Sequence, residues 1–142
     1  MKQFERLFEP RSIAIVGVSE DAARTGSQVL HTLKRYGYAG TIYPVNPRYA
    51  TFEGLTCYPS VSAIEGEIDL AVIGIPARGV MSVIEDCARK RVPFAVVPSG
   101  GFRESGPEGA ALQDRMLAVA RAAGMRIVGP NCLGLANIHN NV

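Results

Sequence analysis

The sequence predicts an α/β fold: a doubly wound, mainly parallel five-stranded sheet with helices on both faces. Two observations predict it. Short β-branched runs alternate with amphipathic runs from residue 12 onward. The strand-like runs are apolar throughout instead of alternating, as strands covered on both faces are. Joining such strands in one sheet requires crossovers through helices, which are right-handed in nearly all proteins. The order is Rossmann-like.

Each element has its own signature. Ser12-Ile13-Ala14-Ile15-Val16 is a buried strand ended by Gly17. Ser27 to Tyr36 carries Val29, Leu30 and Leu33 on one side, and Gly37 and Gly40 terminate it. Thr41-Ile42-Tyr43-Pro44-Val45 is the second strand, with Pro44 near its end, where a lost ladder bond costs least. Residues 46–68 are irregular, marked by Asn46-Pro47, Gly54, Pro59-Ser60 and Gly66. Within them Ser60 to Ile64 suits one or two helical turns. Asp69 to Ile75 is the clearest buried strand, stopped by Pro76. Val80, Val83, Ile84, Cys87 and Ala88 recur at helical spacing. Phe94 to Pro98 is the fourth strand, followed by a Gly-rich loop, 99–106. Pro107 opens a helix where its missing N–H costs nothing, with Leu112, Met116, Val119 and Ala123 inward. Arg126-Ile127-Val128 is the fifth strand.

Composition narrows the function classes. The 142 residues suit one domain spanning 1–142. Fifteen Lys and Arg against thirteen Asp and Glu are too balanced for a dedicated nucleic-acid binder. Three cysteines, an odd number, argue against a secreted disulfide scaffold. No long apolar run spans a membrane, and Met1 to Arg6 lacks the apolar stretch of a signal peptide. The expected location is cytoplasmic.

Ligands of doubly wound sheets bind beyond the carboxyl ends of the strands, near the point where strand order reverses. Five loops qualify, beginning at Gly17, Pro44, Pro76, Ser99 and Gly129. The first, Gly17 to Gly26, joins a strand to a helix start, where free N–H groups attract phosphate. Gly17 permits a tight turn and Gly26 a close backbone approach. Ser19, Arg24, Thr25 and Ser27 add donors. Any β–α turn favours Gly and Ser, so Gly17 alone would say little; the whole loop points to phosphate.

Spacing disfavours a nicotinamide dinucleotide. Ser19 replaces the second glycine of G-x-G-x-x-G, and the second strand ends in Pro44-Val45-Asn46-Pro47 without a carboxylate for the ribose. Asn46 can still accept from a ribose hydroxyl. A longer loop suits a ligand with an extra phosphate on its ribose. Arg24 and Arg48 are candidates for that charge, against plain surface solvation. Ile75, Pro76 and Ala77 form an apolar wall for an adenine or a thin alkyl arm, or simply a strand stop. Ser99, Gly100, Gly101 and Phe102 offer exposed N–H groups and a mobile aromatic, either a lid or a connection.

Other chemistry is weakly marked. Cys132 follows the last strand without an adjacent base; His31 reads as structural or solvated, and His139 lies in the polar tail. Cys57 and Cys87 read as core residues, and no metal-ligand spacing links the cysteines. Glu20, Asp21, Glu65, Glu67 and Glu104 read as solvated acids.

Four ordered motifs nevertheless carry a resemblance. Phe8-Glu9-Pro10-Arg11-Ser12-Ile13-Ala14-Ile15-Val16-Gly17-Val18-Ser19, Pro44-Val45-Asn46-Pro47, Asp69 to Ile73 with Ile75-Pro76-Ala77, and Gly129-Pro130-Asn131-Cys132-Leu133-Gly134 resemble the CoA-binding domain of NDP-forming acyl-CoA synthetases. It is similar to the first domain of the succinyl-CoA synthetase α subunit and of ADP-forming acetate–CoA ligases. The resemblance implies CoA or acyl-CoA as ligand. It places the phosphates at Gly17, Ser19, Arg24, Thr25 and Gly26, and the nucleotide beside Pro44, Val45 and Asn46. Adenine or pantetheine would lie against Ile75, Pro76 and Ala77, pantetheine near Ser99 and Gly100, and the thiol end near Asn131 and Cys132. It gives Cys132 no nucleophilic role. The family's reaction, acid, CoA and ATP to acyl-CoA, ADP and phosphate, runs through a phosphohistidine domain and an ATP-grasp domain that these residues lack. The expectation is therefore a fragment of a longer synthetase, without complete activity alone. Two alternatives stay open: a CoA-responsive regulatory module, as on protein acetyltransferases, and a nicotinamide-dinucleotide domain.

Overall fold

The computed structural model describes residues 4–142. Of the opening stretch read for a leader, Met1, Lys2 and Gln3 lie outside the described residues. The chain runs α1 (Glu5–Phe8), β1 (Ser12–Val16), α2 (Thr25–Arg35), β2 (Thr41–Val45), β3 (Thr51–Phe52), β4 (Leu55–Thr56), β5 (Leu70–Ile73), α3 (Ala77–Arg89), β6 (Phe94–Val96), α4 (Pro107–Ala122) and β7 (Arg126–Val128). Five strands form one parallel sheet in the order β2-β1-β5-β6-β7. The remaining two, β3 and β4, form a small antiparallel hairpin.

The sheet's two faces sort the apolar residues by strand period. Ala14, Ala71 and Ala95 lie side by side in register across β1, β5 and β6. Their small side chains let the residues around them pack with Val80, Ile84 and Cys87 of α3 and with Met116 and Ala120 of α4. The alternate positions Ile15, Val72 and Val96, also in register, face the opposite cluster with Leu30 and Leu33 of α2. Each fully buried Ile or Leu here contributes about 1.5–3 kcal/mol of transfer free energy. Continuous apolarity in β1 and β5 thus marks strands buried on both sides, as expected.

Several details depart from the sequence reading. A short helix, α1, precedes β1; four residues are too few for periodicity to announce it. The stretch 46–68 holds the β3–β4 hairpin and a single 3-10 turn, Val61–Ala63, capped by the Ser60 hydroxyl. The Gly-rich loop is not mobile at its aromatic: Phe102 is fully buried in the α3/α4 cluster. Gly109 of α4 makes room for the Phe102 backbone, where any Cβ would collide. In α4 the inward positions are Gly109, Met116 and Ala120, with Leu112 and Val119 partly buried and Ala123 exposed.

At the amino-terminal edge, the carboxylate of buried Asp69 accepts from the Arg11 N–H at 2.9 Å and from Arg11 Nε at 3.1 Å, and Arg6 Nε lies 3.4 Å away. Burial alone would raise this carboxyl; the Arg11 bonds outweigh it and hold Asp69 below the usual carboxylate range. Nearby, Tyr38 donates to Pro10 O at 2.7 Å, and burial pushes its hydroxyl up to about 12. These groups brace the end of the sheet opposite the ligand side.

Candidate functional site

Strand order reverses between β1 and β5. From β1 the chain crosses to β2 on one side, then to β5 on the other. Beyond their carboxyl ends three glycines lock together. A Cβ on Gly17 would stand 2.7 Å from Gly74 O; one on Gly74, 2.7 Å from Gly26 N; one on Gly26, 2.6 Å from the Gly17 carbonyl. Gly17 also has φ +95°, a conformation L side chains avoid. The start of α2 is thereby pressed onto the switch point, and its first-turn N–H groups, which lack intrahelical acceptors, are brought beside it.

This changes the part Gly26 plays. Its close approach is to the backbone of Gly17 at the head of its own loop and of Gly74 beyond β5, as with a glycine that seats a helix on a sheet. Gly74, read from the sequence as part of a strand, is the third member of that contact. Only the tertiary structure identifies it. Ser27 is likewise spent inside the protein: its buried hydroxyl donates to Ser19 O at 2.6 Å and accepts from the Ser19 N–H at 2.9 Å. Arg24 pairs with Asp21 at 3.4 Å on the exposed arc of the loop, beside exposed Thr25.

The remaining loops are tied to this one in sequence around the rim. Asn46 Nδ2 donates to Val18 O at 2.7 Å, while its Oδ1 accepts from the Arg48 N–H at 2.9 Å. The Asn46 side chain therefore joins the first two loops. Ser99 Oγ donates to Ile75 O, and the Asn131 N–H donates to Ser99 O at 2.9 Å. Gly100 lies close to the Asn131 side chain, and Gly101 to Ala77. Cys132 is half-buried, with Sγ 3.6 Å from Val97 O and 3.7 Å from Val128 O. Ile75, Ala77, Ser99, Gly100, Asn131 and Cys132 thus form one continuous edge.

Glu104 is more than a solvated acid. Its Oε1 accepts from the Gly101 N–H at 2.7 Å and the Phe102 N–H at 3.2 Å; its own backbone N–H and then these two amides hold its carboxyl below the usual range. The two amides expected to be available to a ligand are therefore occupied by the chain's own carboxylate. With Phe102 buried, this loop is a fixed wall, not a lid.

A cavity of about 650 Å³ opens at the same end. Gly17, Val45, Asn46 and Ile75 line it from three loops. Val61 and Val83 complete an apolar middle, and Ser62, Asp86 and Arg89 form a polar flank. The sequence reading missed that flank, because Asp86 sits on the inward side of an amphipathic helix where an acid is unexpected. Asp86 is buried and accepts from the Ser62 N–H at 3.0 Å, from the Ser62 hydroxyl and from Arg89 Nη2 at 3.0 Å. Burial would raise its carboxyl; Ser62 and Arg89 more than offset this and lower it.

His31 pairs with Glu53 on the hairpin, joined by Lys34. Cys57 and Cys87 are buried, and burial pushes the Cys87 thiol up to about 12. Among the described residues no group of three or more His, Cys, Asp or Glu could hold a metal, and no helix is long and apolar enough to cross a membrane.

A glycine-locked switch point beside a cavity of about 650 Å³, with linked loops along its rim, is the ligand-site arrangement of a doubly wound, Rossmann-like domain. Comparison specifies which: residues 11–138 match the family described as CoA binding domain, and the chain belongs to that family. It is 44% identical over 133 residues to the ADP-forming acetate–CoA ligase I of Archaeoglobus fulgidus, covering 94% of this chain and 19% of that protein. It is 41% identical over 135 residues to the α subunit of the ADP-forming acetate–CoA ligase II of Pyrococcus furiosus, covering 95% of this chain and 29% of the subunit. Its fold superposes with a TM-score of 0.94, at 42% identity, on the dinucleotide forming acetyl-coenzyme A synthetase 1 of Ca. Korarchaeum cryptofilum solved with phosphate and ADP. That match covers 100% of this chain and 30% of the other. The chain thus spans between a fifth and a third of the length of these relatives. It is a CoA-binding domain of the kind that ADP-forming acyl-CoA synthetases carry.

Proposed function

We propose that the cavity and the Gly17 loop together hold the adenosine and diphosphate of CoA, and that pantetheine follows the rim toward Cys132. The observation that carries this reading is the convergence of the loops after β1, β2 and β5 on one cavity at the reversal of strand order, with the loops after β6 and β7 bonded on as its continuation. Val45, Val61, Ile75 and Val83 suit the faces of a purine. The amides at the start of α2, with Ser19, Arg24 and Thr25, suit phosphate oxygens. Pro44, Pro76, Ala77, Ser99, Gly100 and Asn131 border the remaining length. Gly26 and Asn46 serve by shaping the loops.

Within a longer ADP-forming acyl-CoA synthetase, the domain's part is positioning. Fixing the anionic end of CoA removes orientational freedom from the thiol end before transfer to groups supplied by phosphohistidine and ATP-grasp domains. The size of the relatives and the subunit nature of one of them support this reading. Alone, the domain completes no ligation.

The direct test is calorimetric titration of the chain with CoA, with NADH as competitor. Saturable CoA binding that NADH does not displace supports the assignment. Saturable NADH binding that CoA cannot displace, or no CoA heat at all, overturns it. Thiol labelling locates the far end: Cys132 is the accessible cysteine and should lose reactivity when CoA is bound, while buried Cys57 and Cys87 stay silent in both states.

A further inference from the structure

The cavity has a charged end that nothing so far explains. Among the described residues lining it, Arg89 is the single cation. Ser82, Asp86 and Arg89 follow one another at helical spacing along α3, so the cavity continues down that helix, away from the Gly17 loop. Arg89 is not a closed ion pair. It gives one Nη2 bond, at 3.0 Å, to Asp86 Oδ1, while Asp86 also takes the Ser62 amide and hydroxyl. The Arg89 side chain is 66% exposed against 11% for Asp86. Asp86 is thus a buried, already satisfied anchor that holds one corner of the guanidinium, and Arg89, itself lining the cavity, keeps further N–H groups that no acceptor among the described residues takes. A guanidinium so held is suited to two adjacent phosphate oxygens, and less of its freedom is lost on binding.

We propose that Arg89 takes the phosphate on the ribose of CoA, and so makes the site prefer CoA to the same molecule without that phosphate. The proposal rests on the CoA site described above. It replaces the two arginines that the sequence offered for the same charge. Arg24 is paired with Asp21 outside the cavity lining, and Arg48 is held by its backbone to Asn46 and does not line the cavity either.

The experiment measures, by calorimetry, the affinity ratio of CoA to dephospho-CoA for the chain and for R89Q, R89K, R24Q and R48Q. A charge-assisted contact of this exposure should give the chain about a five- to tenfold preference for CoA. R89Q should abolish that preference by weakening CoA alone, with dephospho-CoA changing less than about twofold; R89K should keep part of it. R24Q and R48Q should leave the ratio in place. A ratio that survives R89Q, or that falls with R48Q or R24Q instead, overturns the proposal while the CoA site stands. Equal loss of both ligands in R89Q also overturns it, since Arg89 would then only be bracing the cavity wall through Asp86. If neither ligand binds the unsubstituted chain, the CoA site itself fails, and this assignment with it.

Discussion

At the scale of single residues, backbone proximity and buried charge make the sharpest predictions. Gly26 has no room for a methyl group, because a Cβ would stand 2.6 Å from backbone atoms of Gly17 that cannot swing aside. Gly26→Ala should cost about 2–3 kcal/mol of stability by overpacking, and weaken CoA binding by lifting the start of α2 from the switch point. Urea unfolding and titration check both; unchanged stability would mean that the three-glycine contact is not tight. Asp69 makes a prediction in pH. Its folded pKa lies below the unfolded value of about 3.9, so its stabilisation is complete above that value and disappears as pH falls through the folded one. Asp69→Asn should lower stability at neutral pH by about 2 kcal/mol and flatten the decline below pH 4. An acid limb of the same slope in the variant would show that Asp69 carries no linkage.

At the scale of elements, the loop between β6 and α4 behaves as part of the core. Phe102 anchors it, Glu104 satisfies its amides, and Arg103 reaches Asp114 on α4 at 2.5 Å. Phe102→Ala should destabilise the fold by about 3–4 kcal/mol, a cost no surface lid would show. Glu104→Gln removes the charge from the acceptor of two amides. Hydrogen exchange at Gly101 and Phe102 should speed up while exchange in β1 and β5 stays unchanged. Exchange as slow as in the unsubstituted chain would mean the carboxylate charge is dispensable. Composition misleads here, because a glycine-rich, polar stretch resembles a mobile connection until the buried aromatic is located.

At the scale of the whole molecule, the sheet is a frame for one edge. Bracing ion pairs sit at its amino-terminal side, and the cavity with the loops proposed to hold CoA sits at the other. The domain alone should bind CoA with micromolar or weaker affinity, since partner domains would add contacts along the pantetheine. Added salt should weaken binding, because phosphate recognition by exposed cations is screened. Salt-independent binding would shift the weight of recognition to the purine and pantetheine. Among the loops, those after β1, β2 and β5 are the ones brought to the cavity, whereas the sequence singled out the Gly17 loop for phosphate and could not say which of the other four join it.

How much was legible follows from the range of the forces involved. Strand–helix alternation, the two-sided burial of β1 and β5 and the stop of β1 at Gly17 are local, and periodicity with turn chemistry determined them from the sequence; β5 instead ends at Ile73, short of the Pro76 at which the sequence ended it. Four ordered motifs added the ligand. What the tertiary structure decided depends on residues far apart in the chain: Gly17, Gly26 and Gly74 meeting at one point, Phe102 turned inward, and Ser62 joined to Asp86 beneath Arg89. Those arrangements arise when helices press against a sheet and buried polar groups must find partners, and one-dimensional spacing carries no trace of which partner is found.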